Sequence, residues 1–251
     1  MAYIPDKEWR AFVNKLTSIN SEAGRLVAEW IEQNTLANPN ALIAYAYDVA
    51  SAYGTASATL AAMMYDAIAE IEGVSLPAAE LAPNPTYSDV AKSVNGTLKI
   101  SQNIEMISGA VSRLVKRTGQ DTLLYNAIRD NAQWAWIPSG DTCAFCITLA
   151  SRGWQHATQD MLDGGHAEHI HGNCDCTYMI RHREDVNVRG YDPNRYLRMY
   201  QNADGDTSKQ KINSMRRKFY AENAGKINAQ KRAAYEKRQE LNSSEAEEGD
   251  V

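Results

Sequence analysis

From Ala41 to Gly73 the large side chains return every three or four positions: Leu42, Tyr45, Val49, Tyr53, Leu60, Met64, Ile68 and Ile71. That spacing lays one apolar stripe along a single α-helix. Alanine, the strongest helix former, fills much of the space between. Small side chains also let a second helix approach closely. Gly54, which costs about 1 kcal/mol relative to alanine in mid-helix, is read as such a point of approach. Asn38-Pro39-Asn40 breaks the pattern before this helix.

The flanking segments are helical too, in shorter pieces. Pro5-Asp6 starts a first helix carrying Trp9, Phe12 or Val13, Leu16 and Ile19. Leu26, Val27, Trp30 and Ile31 give a second short one. Residues 74–90, rich in Pro and closing on Ser88-Asp89, read as an irregular linker. Ile100, Ile104, Ile107, Val111 and Leu114 predict one amphipathic helix, stopped and re-capped at Thr118-Gly119-Gln120-Asp121. The next helix carries Leu124, Ile128 and Trp134. Helical rhythm then disappears from Pro138 to Gly190, where Gly, Asp, His and Cys concentrate. Tyr191-Asp192-Pro193 opens a short helix to about Tyr200, and a last helix is expected from Asp206 to about Leu241. The expected fold is mainly α, in four parts. Residues 1–137 form a helical N-terminal bundle. Residues 138–190 form a small Cys/His zinc-knuckle module with short strands. Residues 191–242 form a C-terminal arm with a long helix, and 243–251 a disordered acidic tail.

Charge narrows the function classes. The formal net charge of −5 argues against a general nucleic-acid binder. Its distribution is uneven, with ten Lys or Arg against three Glu between Lys209 and Glu240, and four acids without a base from Ser243 to Val251. The basic stretch suits an acidic partner, which includes packaged DNA, and the acidic tail is expected to fold back over it. No secretory signal is visible at MAYIPDKEWRAF, and the longest apolar candidate, Ala41–Ala52, is broken by Asp48. No membrane association is expected.

All four cysteines fall between positions 143 and 176. Such clustering, without a secretory signal, reads as metal binding rather than a disulfide framework. Cys143-Ala-Phe-Cys146 offers two thiolates on one turn, and His171-Gly-Asn-Cys174-Asp-Cys176 offers a second pair. Four protein ligands leave zinc no open position, which marks a structural site. Zinc needs only two of His171, Cys174 and Cys176. The favoured set is Cys143, Cys146 and Cys174 with one of His171 and Cys176. His156, His166, His169 and His182 are read as surface or loop residues.

At these residues the chain resembles MuF-like minor capsid proteins of tailed phages. The resemblance rests on Gly140-Asp-Thr-Cys-Ala-Phe-Cys-Ile-Thr-Leu-Ala-Ser-Arg-Gly153 followed by His171–Cys176. The alanine-rich stretch Tyr53–Asp66 and Tyr191-Asp192-Pro193 agree with it. Asp175, and His166 and His169 ahead of the motif, depart from the family pattern. The resemblance implies a low-copy, non-enzymatic head morphogenesis protein, made in the host cytoplasm and placed in the virion at the capsid interior or portal vertex. Its partners would be the portal and the major capsid or scaffold protein. Some members carry a further C-terminal toxin or enzyme domain, and none is expected here.

Two other classes compete. An HNH-like metal-dependent nuclease could draw on Glu168-His169-Ile170-His171 and Asn173, but the stretch after Cys176 reads as a strand where that motif needs a helix. A zinc-containing DNA-binding protein would need a basic module, which this one is not. Asn202–Asp206 resembles a calcium-loop fragment, yet the bidentate Glu position falls on Lys211, so it reads as a turn capping the last helix.

Overall fold

The structure is a computed structural model. It describes the chain except Met1, Thr35, Ala37 and residues 139–142, 164–175 and 249–251, with backbone alone over most of 226–248. The described residues form eight helices and five short strands, so the fold is mainly α. In chain order these are β1 (Ala2–Ile4), α1 (Asp6–Asn34), α2 (Pro39–Glu72), α3 (Tyr87–Ile100), α4 (Ile104–Arg129), β2 (Gln133–Ile137), α5 (Ala144–Ala150), β3 (Gln155–His156), α6 (Gln159–Asp163), β4 (Thr177–Arg181), β5 (Val186–Val188), α7 (Pro193–Gln201) and α8 (Ser208–Glu248).

α2 is the expected long helix, about 51 Å at 1.5 Å per residue. Asn38 caps its start by accepting from the Ala41 N–H at 3.2 Å, with Pro39 in the first turn. Gly73 ends it at φ +67°, where the Gly73 N–H reaches Glu70 O and the Val74 N–H reaches Ala69 O. A Cβ on Gly54 would lie 2.7 Å from Asn84 Oδ1 and 3.3 Å from Thr118 Oγ1, so the glycine is the close packing point expected of it.

Five expectations about helices and their boundaries are corrected. The two short N-terminal helices are one, α1, because Trp9, Phe12, Leu16, Ala23, Val27 and Ile31 continue a single buried stripe. The single helix expected from Ile100 is two. Asn103 caps α4 by accepting from the Met106 N–H, which leaves Ile100 at the exposed end of α3. Ser88-Asp89 belong to α3, whose start is a capping box between Thr86 and Asp89. The stop read at Thr118–Asp121 is absent: α4 runs through it, and Gly119 lies against Ser57 of α2. Trp134 is in a strand.

α1, α2 and α4 pass through two buried clusters. One, made only of helices, joins Val27, Ile31, Leu42, Val49, Val90, Val94, Ile107 and Val111. The other joins Phe12, Leu16, Tyr65, Ile68 and Leu124 to the sheet residues Trp136, Tyr178 and Ile180. That sheet is antiparallel, in the order β3-β2-β4, with Trp136 opposite Tyr178 and Gln133 opposite Arg181. Separately, β1 pairs in parallel with β5, matching Ile4 to Val188. The backbone of residues 77–82 has no ladder partner, and α4 supplies one. Thr122 Oγ1 accepts from Ala82 N–H, Asn126 bonds both Glu80 N–H and Glu80 O, and Arg129 donates to Pro77 O and Ala78 O. These α4 residues are spaced four and three apart, hence on one face.

Candidate metal centre

β2 leads away from the bundle through Pro138, and the chain is next described at Cys143, the N-cap of α5. Its φ and ψ of −73° and 159° turn the side chain back over the helix start, where Sγ accepts from the Cys146 N–H at 3.4 Å. Cys146 sits on the same turn and is buried. Cys176, buried as well, directly precedes β4. Cys146 and Cys176 are both buried in the large apolar cluster shared by the sheet and the bundle, and Cys143 packs against that cluster. Tyr191, buried at the entry to α7, donates its hydroxyl to Ala150 O at 3.0 Å and ties α7 to the end of α5. Tyr196 flanks Cys176, and burial pushes its phenol up, with the nearby thiol adding to the shift.

His171 and Cys174 lie outside the described residues, as do His166 and His169. Among the described residues no three His, Cys, Asp or Glu side chains converge on a metal-sized site. The remaining histidines are at the other end of the sheet. His156 pairs with Gln133 and His182 follows Arg181, whereas Cys176 adjoins Thr177 opposite Ile137. Four strand residues separate those ends by about 14 Å, too far to share an ion. The donors present are sulfurs, which suit zinc and not a hard cation such as calcium or magnesium.

Residues 3–203 match the family described as VG15 protein. The chain belongs to the VG15 protein family. This is a phage gene-product family, which makes the chain a virion-related phage protein. Membership covers the bundle, the cysteine segment and α7, and the matched region ends before α8. Neither a curated protein nor a solved structure gives a significant match. No helix among the described residues is long and apolar enough to cross a membrane.

Sequence reasoning missed a second polar cluster in this VG15 protein, where α2 and α4 meet β4. Glu72, buried, accepts the backbone N–H groups of His182 and Arg183 at 2.9 and 2.8 Å. Burial pushes its carboxyl up, against the pull of those two amides. Tyr65 donates to Asp130 at 2.8 Å, and Arg129 holds the Asp130 carboxyl below the usual range. His182 is half-buried and lies in the bend just after β4, in keeping with its reading as a surface or loop residue. Its ring stands edge-on to Tyr65 at 5.1 Å, and Nε2 is buried without a partner among the described residues.

Burial lowers the His182 pKa, with Asp130 opposing in part. The folded state therefore binds fewer protons at this site than the unfolded chain, whose imidazole titrates near about 6.5. Stability from this group is full above that value and is lost as pH falls from about 6.5 toward the lower folded pKa. Glu72 acts oppositely, since its raised pKa makes protonation favour the fold at lower pH. Urea midpoints are expected to fall between pH 7.5 and 6 in the native chain and to stay flatter in His182→Phe. Equal slopes for both would show that His182 does not titrate in this way.

Proposed function

We propose that this VG15 protein is a minor capsid protein of the MuF-like kind, a non-enzymatic component that enters phage heads in few copies and acts in assembly near the portal. What supports the reading is family membership over residues 3–203, together with a cysteine segment whose spacing resembles the MuF-like signature. The portal and the major capsid or scaffold protein are its proposed partners.

In the same reading the cysteine segment holds one structural zinc. Cys143, Cys146 and Cys174 would bind it, with one of His171 and Cys176 as the fourth ligand. The ion would lock the turn before α5 to the segment before β4. The chain itself supplies the amide at Cys143 Sγ, the apolar surround of Cys146 and Cys176, and the Tyr191 tie to α5.

Quantitative mass spectrometry of purified heads tests the assembly role. A few copies per head are expected, and absence from heads and from their precursors would exclude it. Elemental analysis of the purified chain should give about one zinc, lost in Cys146→Ser. A metal-free chain that melts at the native temperature would exclude the zinc alone.

A further inference from the structure

Among the described residues, α8 is docked at its base. Ile212, Met215 and Phe219 pack with Ala144 and Ile147 of α5 and with Met199 and Tyr200 of α7. Beyond Phe219 the described side chains are largely exposed. Where α8 leaves the body it forms a groove of about 770 Å³ with α7. Met199, Met215 and Phe219 line it, and Arg195, Arg198, Arg217 and Lys218 surround them. Its one acid, Asp204, is engaged by Ser214, whose hydroxyl donates to Asp204 Oδ2 at 3.0 Å. Arg198 reaches Asp192 only at 3.6 Å, with both side chains largely exposed, a pair that contributes little. No carboxylate among the described residues forms an ion pair with Arg195, Arg217 or Lys218.

An apolar lining ringed by cations matches an acidic protein segment better than a nucleic-acid duplex. Duplex backbone is convex and offers nothing to Met199, Met215 or Phe219, and the net charge of −5 opposes its approach. The chain carries a segment of the complementary kind. Residues 243–251, Ser-Ser-Glu-Ala-Glu-Glu-Gly-Asp-Val, hold four acids and no base. The expectation that this segment folds back on its own basic stretch is corrected by α8, which stays helical through Glu248. Glu245 is thereby carried about 42 Å along the axis from Arg217, at 1.5 Å per residue.

We propose that the α7–α8 groove seats the acidic 243–251 segment of a second copy of the chain, so that α8 is a self-association arm. The four acids of that segment supply the charge complementary to Arg195, Arg198, Arg217 and Lys218. The pairing is electrostatic in part, so it weakens with salt.

Sedimentation velocity on the full chain tests this with two charge-reversed variants, R195E/R198E and E245R/E247R/E248R. Arg195 and Arg198 are exposed, so the fold does not depend on them. The native chain is expected to self-associate at low salt, at least about tenfold more weakly at high salt. Each variant alone should remain monomeric, and an equimolar mixture should associate again, because each restores the charge the other lost. A monomeric native chain at every concentration, or variants that associate as the native chain does, overturns the proposal. So does a mixture that stays monomeric. Loss of duplex DNA binding in R195E/R198E with self-association unchanged would assign the groove to DNA instead.

Discussion

Gly119→Val is expected to destabilise the fold by about 3 kcal/mol, from overpacking at a helix crossing that cannot relax locally. A Cβ at Gly119 would lie 2.5 Å from Ser57 Oγ and 3.1 Å from the Ser57 carbonyl oxygen. The hydroxyl can rotate away, but the carbonyl is α2 backbone, so α2 and α4 would have to separate along their contact. For a chain of this size the melting temperature should drop by about 6–12 °C. Gly96, in α3, has nothing within 4 Å of its would-be Cβ. Gly96→Ala should therefore raise stability by up to about 1 kcal/mol through helix propensity alone. If thermal melts move the same way for both glycines, the steric account is wrong and only propensity is being measured.

Glu72→Ala carries the second large effect. The carboxylate oxygen Oε2 serves two amides at once, those of His182 and Arg183, where the chain turns out of β4. A hydrogen bond to a charged group contributes about 1.5–3 kcal/mol, and removing the acceptor leaves buried donors without a partner. Relief of a buried charge offsets part of that loss, so about 3 kcal/mol is expected near neutral pH. Glu72→Gln keeps a carbonyl oxygen in the same position and should cost less than half as much. Denaturant midpoints distinguish the cases. An alanine variant as stable as the glutamine one would mean that the two amides find water instead.

The long helices were legible because their signal is local. Periodic apolar residues, Asn38-Pro39 and Gly73 each act within one or two turns. The errors came where tertiary contact overrode local chemistry. Thr118-Gly119-Gln120-Asp121 has the composition of a break, yet its buried side chains and the close approach at Ser57 hold it helical. Trp134 continued an apparent helical stripe, but pairing with Ile180 draws it into a strand, a contact with a residue far along the chain. The first cysteine pair was legible as a turn with two thiols, Cys143 at the N-cap of α5 and Cys146 on its first turn. Glu72 left a trace that was passed over. It occupies the core stripe at the spacing Tyr65, Ile68, Glu72, and an acid on a buried face announces a specific partner. That partner, the backbone of His182 and Arg183, could not be named from sequence, since backbone amides have no side-chain signature.

The β1–β5 pairing has a consequence in time. Ile4 is made well before its partner Val188, which lies 184 residues further along the chain. At about 5–20 residues per second the wait is roughly 10–40 s. During it, the helices up to Arg129 can already pack from contacts available early, while β1 waits for β5. The ladder therefore forms late in synthesis. It joins β1 to the segment after the cysteines once the latter has emerged from the ribosome, so a nascent chain interrupted before Val188 would lack this closure even with its helices assembled.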